Sequence, residues 1–201
     1  TSSYTGLAIS ITVIGEAKKE DIVYRNGAKD TDLICVSGDL GAAYMGLQLL
    51  EREKSVYYQM VNEAQKKDDK RRLEELKHSQ PDFAGKEYII QRQIQTEARG
   101  DIIARLRELN IRPTAMMDIS DGLSSELMHI CEQSHCGCRI YEKSIPIDYQ
   151  TAVMAEELNM NVTTCALNGG EDYELLFTVP IGDHAKIVDM EGVKLIGHIT
   201  R

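Results

Sequence analysis

The sequence lacks the features that mark several large classes of protein. It contains no internal repeat and no apolar run near the ~20 residues needed to cross a bilayer. Positive charge is the minority, because the sequence has 23 Lys and Arg and 32 Asp and Glu. The formal net charge is -9. This balance argues against nucleic acid or an anionic membrane as the main partner. It does not argue against phosphate ligands, because a divalent cation can reverse the local sign of charge.

The five cysteines do not form a zinc-binding pattern. Cys131, Cys136 and Cys138 lie near His129 and His135, but their spacing fits no standard zinc motif and no second half-site is present. We therefore expect these thiols to pack in the core. The odd cysteine count and the lack of a signal peptide predict a reducing, cytoplasmic location.

The composition that remains is typical of a globular protein, with 42% hydrophobic and 27% charged residues among 201. That length is enough for one sizeable core, or for one domain and part of another. Apolar periodicity predicts alternating strands and helices, and hence an α/β (α+β) fold with a mixed sheet flanked by helices. Residues 7–15 alternate apolar and β-branched side chains, which predicts a buried strand.

Two boundaries divide the chain. The polar run at 29–32 separates a strand and linker over residues 1–29 from an α/β domain over residues 30–201. Within the larger domain, residues 51–99 are rich in Lys, Glu, Gln and Arg and have one thin apolar face. We expect this segment to be a helical insert packed on the core.

A glycine turn follows the predicted strand at 33–37. The sequence Gly38-Asp39-Leu40-Gly41 leads from that strand into a helix, as at the start of a βα unit. Two uses of the glycines fit this pattern: a tight turn, or a backbone whose amides approach a ligand closely.

The strongest chemical signal is the sequence Asp118-Ile119-Ser120-Asp121-Gly122, which follows a short apolar run and precedes an amphipathic helix. Carboxylate oxygens suit Mg²⁺, and a helix N-terminus suits phosphate oxygens. The spacing alone is equally consistent with Ser120 or Asp121 acting only as the helix cap.

A second acidic motif, Gly169-Gly170-Glu171-Asp172-Tyr173-Glu174, opens the strand that ends before Pro180. Three carboxylates within four positions are costly beside a core unless something uses them. Neither acidic motif contains a histidine or a cysteine.

Together, these two motifs resemble those of thiamine-monophosphate kinase, a family related to aminoimidazole ribonucleotide synthetase. Arg25-Asn26-Gly27-Ala28 and residues 36–41 also match, so the resemblance covers nearly all of the chain except 51–99. It implies the C-terminal domain of the aminoimidazole ribonucleotide synthetase-like fold, with residues 1–29 belonging to a truncated N-terminal ATP-binding domain. The implied activity is ATP- and Mg²⁺-dependent phosphorylation of thiamine monophosphate to thiamine diphosphate.

The resemblance also implies roles for individual residues. Asp118 and Asp121 would be Mg²⁺ ligands, and Ser120 and Arg25 would contact ATP. No catalytic acid, base or nucleophile is assigned, because the acceptor phosphate is already ionised. Phosphoryl transfer then depends on positioning and on charge neutralisation by metal ions.

The substrate side of the site is less defined. Glu171 or Asp172 would face the cationic thiazolium of thiamine monophosphate, and the choice between them stays open. The chain begins at Thr1 and stops at Arg201, without the family's N-terminal acidic residues and C-terminal aromatic residue. We therefore expect a fragment that is inactive alone and whose parent dimerises through the missing N-terminal domain.

Two other interpretations remain. The chain could come from a different ATP-dependent enzyme of the superfamily, such as selenophosphate synthetase or aminoimidazole ribonucleotide synthetase. Alternatively, it could be a non-catalytic ligand-binding domain in which Asp118 and Asp121 serve only as a cap and a turn.

Overall fold

The computed structural model describes residues 9–201, together with the backbone of residues 2–3 and 6–7. Two short strands, β1 (Ser2–Ser3) and β2 (Gly6–Leu7), pair with each other in antiparallel fashion. The main sheet has five strands: β3 (Leu33–Ser37), β4 (Ala115–Asp118), β5 (Gly137–Ile140), β6 (Leu175–Val179) and β7 (Val193–Thr200). Their spatial order is β4-β6-β3-β7-β5.

All four pairings within the five-stranded sheet are antiparallel. Strands β3, β4 and β5 therefore run in one direction, and β6 and β7 run in the other direction between them. The predicted α/β class is confirmed, but the sheet is antiparallel rather than mixed. Apolar periodicity indicates which face of a strand is buried. It does not indicate which strand lies beside it, so it could not predict the pairing.

The helices lie around this sheet. In order, those of the described residues are α1 (Ala42–Lys66), α2 (Lys70–Lys77), α3 (Glu87–Ile94), α4 (Gly100–Glu108), α5 (Leu123–Ser134), α6 (Tyr149–Glu157), α7 (Val162–Asn168) and α8 (His184–Val188). None of them combines the length and the apolar character that a membrane span requires. Helix α7 was not predicted, although the Asn161 side chain caps it by accepting a 2.8 Å hydrogen bond from Thr164 N–H.

Strand β3 lies at the centre of the sheet and is buried on both faces, which explains its uninterrupted apolar run. Ile34 and Val36 belong to a core cluster that includes the buried apolar residues of α5. Leu33 and Cys35 belong to a second cluster, which includes residues of α4 and α8. The sheet is thus covered by helices on both faces, and its strand ends are where loops can carry a site.

A third cluster joins α1, α3, α6 and α7. Helix α1 continues through residue 51, where the insert was expected to begin. Helices α1 and α3 cross closely at Gly46, where a Cβ atom would lie 2.1 Å from the carbonyl oxygen of Ile89. Ile89 is only 1% exposed. The later part of the 51–99 segment is therefore a component of the core.

The predicted strand at 7–15 is wrong for the described residues from Ile9 onward. They form no regular structure, and Ile9, Ile11, Val13 and Ile14 are 76–91% exposed. A strand needs a neighbour to take its backbone hydrogen bonds, and no described strand lies beside this segment. Thr1, Tyr4, Thr5 and Ala8, which belong to the predicted first domain, lie outside the described residues.

Candidate functional site

The two acidic motifs meet at one end of the sheet. Strands β4 and β6 pair as far as Asp118. Three backbone hydrogen bonds continue this pairing into the loops: Ile119 N–H to Glu174 O at 2.8 Å, Tyr173 N–H to Ile119 O at 2.8 Å, and Glu171 N–H to Ser120 O at 2.7 Å. Segments far apart in the chain are thereby held as one unit.

The start of α5 excludes capping as the role of the first motif. Helix α5 begins at Leu123, its N-cap residue is Gly122, and no side chain makes the cap hydrogen bond. Asp118 and Asp121 are exposed, and Ser120 is half-buried. Their side chains therefore remain available to a ligand at the N-terminus of a 12-residue helix.

A buried glutamate binds the backbone of the first motif. Glu126, in the first turn of α5, is 1% exposed, and its Oε1 accepts a 3.2 Å hydrogen bond from Asp121 N–H. Its Oε2 is buried and has no hydrogen-bond partner within the described part of the chain. Sequence reasoning missed this contact, although an acidic residue in the first turn often reaches back to the backbone at a helix start.

The second motif has an unusual backbone. Gly170 has φ +67°, and a Cβ there would lie 2.6 Å from the carbonyl oxygen of Ser120. Glu171 and Tyr173 also have positive φ, at 63° and 51°. Such conformations cost roughly 1–3 kcal/mol each for residues other than glycine and cluster at functional sites. Here they leave both side chains exposed.

The charges of three carboxylates act on the phenol of Tyr173. A hydrogen bond to Glu171 is the main cause that raises the pKa of Tyr173, and the charges of Glu171, Asp118 and Asp121 raise it further. The exposed acids of both motifs therefore act electrostatically on the same side chain.

The donor set suits Mg²⁺, which proteins usually bind through one or two carboxylates plus substrate phosphates. Asp118 and Asp121 supply two such carboxylates at the N-terminal end of a helix. Among the described residues, no three His, Cys, Asp or Glu side chains come together as a metal-binding group. Any further ligands would have to come from the bound substrates, from solvent or from other parts of the protein.

Arg25 and Asp118 line the same pocket, of about 480 Å³. The segment that carries Arg25 is fixed along the edge of the sheet, because Tyr24 O accepts a 2.9 Å hydrogen bond from Met116 N–H of β4. The lining residues are Val23, Tyr24, Arg25, Asn26, Met116, Met117, Asp118 and Gln133. A guanidinium and a carboxylate facing one cavity can bind the phosphate oxygens and the metal ion of one ligand.

Asp172 does not occupy the substrate-facing position predicted for it. It is 2% exposed, and its two carboxylate oxygens accept hydrogen bonds from Gly41 N–H at 2.7 Å and Ala43 N–H at 3.2 Å. Burial raises the pKa of Asp172 to about 6, although these backbone donors and Arg92 act to lower it. The N–H of Gly41 thus binds a carboxylate of the protein itself and not a ligand. The tight-turn interpretation of the glycines at 38–41 is therefore the better one.

Glu174 is also internal. It is 2% exposed and pairs with Arg92 at 2.8 Å and with Arg99 at 2.5 Å, and the hydroxyl of Ser37 donates to it. Sequence reasoning missed both arginines because they lie in the polar 51–99 segment. Of the three acids in the second motif, Glu171 alone faces solvent.

The architecture is that of the aminoimidazole ribonucleotide synthetase-like fold. The hydrogenase maturation protein HypE of Escherichia coli superposes with a TM-score of 0.56 over 90% of this chain and 47% of that chain. At 15% identity, this likeness concerns the fold alone.

The sequence relatives of the chain include thiamine-monophosphate kinases. The enzyme of Aquifex aeolicus is 32% identical over 174 residues, which are 87% of this chain and 47% of the relative. That of Buchnera aphidicola subsp. Acyrthosiphon pisum is 32% identical over 200 residues, 96% of this chain and 53% of the relative. The chain thus spans about half the length of the curated relatives it matches. No protein-family model matches it.

Solved structures agree with the sequence relatives. Thiamine monophosphate kinase from Aquifex aeolicus superposes with a TM-score of 0.68 at 27% identity, over 89% of this chain and 50% of that one. AaThiL complexed with AMPPCP and TMP gives a TM-score of 0.67 at 28% identity, over 89% of this chain and 48% of that chain.

Proposed function

We propose that this chain is the C-terminal half of an ATP-dependent kinase that phosphorylates thiamine monophosphate to thiamine diphosphate. One observation carries the proposal: the joined motifs expose Asp118, Asp121 and Glu171 at one end of the sheet, while Asp172 and Glu174 are used inside the protein. The names of the relatives and the AMPPCP and TMP complex of AaThiL support it.

In this proposal Asp118 and Asp121 hold Mg²⁺, which neutralises the charge that builds up when two phosphate groups are brought together. Ser120 and the N-terminus of α5 contact the phosphates of ATP, since backbone N–H groups at a helix start bind anions. Arg25 binds the phosphates from the other side of the pocket that it shares with Asp118.

Glu171 is the residue proposed to face the thiamine substrate. Its exposed carboxylate lies beside Tyr173, and a negative charge there would attract the cationic thiazolium ring. Asp172 is not proposed for this role because both of its oxygens already accept backbone hydrogen bonds.

Transfer is proposed to be direct, from ATP to the acceptor phosphate. That phosphate is already ionised near neutral pH, so no general base or covalent intermediate is required. The residues of the site bind the two substrates, orient them and neutralise the charge of their phosphates. We further propose that the 201-residue chain has little activity alone, since its described part offers only two metal carboxylates, and that the whole protein is a cytoplasmic homodimer.

The test uses protein expressed from the complete gene. A coupled assay with ATP, Mg²⁺ and thiamine monophosphate should show turnover that EDTA abolishes. Asp118→Asn and Asp121→Asn should each lower kcat/KM by about 100-fold or more, since even the loss of a group that only orients a metal ligand costs about 10–100-fold. The matched control, Asp189→Asn at an exposed position after α8, should leave kcat/KM unchanged.

Two results would reject the proposal. Turnover with an acceptor of selenophosphate synthetase or aminoimidazole ribonucleotide synthetase, and not with thiamine monophosphate, would assign another enzyme of the superfamily. Mg²⁺-dependent nucleotide binding that survives both aspartate substitutions would favour a non-catalytic binding domain.

A further inference from the structure

A buried ion cluster is centred on Glu174, the last residue of the second acidic motif. The carboxylate of Glu174 accepts from Arg92 Nη1 at 2.8 Å and from Arg99 Nη1 at 2.5 Å, and the hydroxyl of Ser37 donates to it as well. The side chain of Glu174 is 2% exposed, and those of both arginines are 18% exposed. A buried carboxylate is stable only when it is paired and hydrogen-bonded, and these three donors meet that need.

Arg92 connects more than one part of the site. Its Nη2 donates a 3.0 Å hydrogen bond to the carbonyl oxygen of Asp39 and lies 3.8 Å from Asp172 Oδ1. One guanidinium of α3 therefore contacts the turn before α1 and two acids of the second motif. Because the guanidinium is planar and rigid, it fixes the relative positions of these groups better than a flexible ammonium could.

Glu174 passes this constraint to the first motif through its backbone. Its carbonyl oxygen accepts the 2.8 Å hydrogen bond from Ile119 N–H, and Ile119 is fully buried between Asp118 and Ser120. A rigid Glu174 side chain thus fixes the peptide that sets where the Asp118 and Asp121 carboxylates point. The left-handed residues Glu171 and Tyr173 on the same segment would relax if this anchor were lost.

We propose that Arg92 and Arg99 are positioning residues of the site: by holding Glu174, they keep the Asp118–Asp121 loop in the geometry that binds a divalent cation. Both arginines belong to the polar 51–99 segment. That segment thereby contributes to the geometry of the site at the end of the sheet. The choice of Mg²⁺ as ligand rests on the proposed function, whereas the geometric part of the inference does not.

The experiment compares Arg99→Met with Arg99→Lys and with a matched control, Arg105→Met. Arg105 lies on the neighbouring helix α4, where it pairs with Glu108 at the surface. Arg99→Met should fold, because Glu174 keeps Arg92 and Ser37 as partners. Amide hydrogen exchange of Ile119 and Tyr173 is measured by NMR without any ligand, relative to Ile34 at the centre of the sheet. Dividing by the exchange rate of Ile34 corrects for any general loss of stability in a variant.

Arg99→Met should raise the relative exchange rates of Ile119 and Tyr173 by about tenfold, because local opening sets those rates. Titration with Mg²⁺ alone, followed by the amide shifts of Asp118 and Asp121, should need an about tenfold higher concentration for half-saturation. Groups that orient metal ligands usually cost 10–100-fold in affinity. Arg99→Lys should lie between the wild type and Arg99→Met, and Arg105→Met should match the wild type.

Equal relative exchange in Arg99→Met and Arg105→Met would overturn the positioning role. So would faster exchange at Ile119 with an unchanged Mg²⁺ titration, because the loop would then move without effect on the cation. A wild-type chain that shows no Mg²⁺-dependent shifts at Asp118 and Asp121 would instead count against the proposed metal site, and the exchange ratios would still decide the role of Arg99.

Discussion

The backbone N–H of Gly41 donates a 2.7 Å hydrogen bond to the carboxylate of Asp172. This bond joins the turn before α1 to the second acidic motif, and Ala43 N–H donates to the other carboxylate oxygen at 3.2 Å. Asp172 thus supplies from a distant segment the cap that the N-cap residue Gly41 cannot supply itself. The contact stabilises the fold and takes Asp172 out of the ligand-binding surface.

The burial of Asp172 predicts a pH dependence of stability. Its pKa is about 6 in the folded protein, above the ordinary value of 3.8 that it has when unfolded. Between these two values the unfolded chain releases the proton and the folded protein keeps it, so stability falls as pH rises. The contribution is full below pH 3.8 and is lost above pH 6. Its size is about 3 kcal/mol at most, since each pH unit corresponds to about 1.4 kcal/mol.

Urea unfolding of the wild type and of Asp172→Asn between pH 4 and pH 7 measures this effect. The wild type should lose stability relative to Asp172→Asn over that interval, because the variant has no proton to release. An Asp189→Asn variant, changed at an exposed position, should run parallel to the wild type. Parallel curves for wild type and Asp172→Asn would show that Asp172 does not titrate in this range.

Gly170→Ala should destabilise the protein by about 1–3 kcal/mol, because alanine would have to adopt the positive φ of this position and its Cβ would lie 2.6 Å from Ser120 O. The substitution should also disturb the Glu171–Ser120 hydrogen bond that joins the motifs. Gly100→Ala at the start of α4, where a Cβ would meet nothing within 4 Å, is the matched control. It should be neutral or slightly stabilising. Thermal unfolding of both variants decides the matter, and equal melting temperatures would contradict the prediction.

Glu126→Ala should cost about 1–3 kcal/mol, because it leaves the Asp121 N–H without its acceptor and opens a cavity behind the loop. Glu126→Gln should cost less, since its amide oxygen can still accept. Glu132→Ala, at an exposed position of the same helix, should change the free energy of unfolding by only a few tenths of a kcal/mol. Equal effects at positions 126 and 132 in chemical denaturation would show that the Glu126 contact is not stabilising.

Local patterns in the sequence were enough to predict much of the fold. The continuous apolar run at Leu33–Ser37 is a central strand, and the apolar period after Gly122 is helix α5. The two acidic motifs were expected beside strand ends, because a carboxylate-rich segment between a strand and a helix cannot be buried without use. The structure brings both motifs together at one end of the sheet. These features depend on neighbours in the chain, which a single sequence reveals.

Features that depend on distant contacts could not be predicted in this way. Asp172 and Glu171 are adjacent and chemically alike, and only the tertiary fold decides that one caps α1 and the other faces solvent. Arg92 and Arg99 look like ordinary surface cations in the sequence, and only the tertiary fold brings both of them to the buried Glu174. The alternation from Ile9 to Val13 has the period of a strand, but no described neighbour buries it.

One bond at the edge of the sheet links the site to the solubility of the protein. Strand β4 is an edge strand, and Met116 N–H donates to Tyr24 O, one residue before Arg25. An uncovered edge strand can pair with other chains and start aggregation. Because the same segment covers that edge and carries Arg25, a substitution that frees it would remove the cation from the pocket and expose the edge at once. Loss of ligand binding and the onset of aggregation should therefore appear together in such variants.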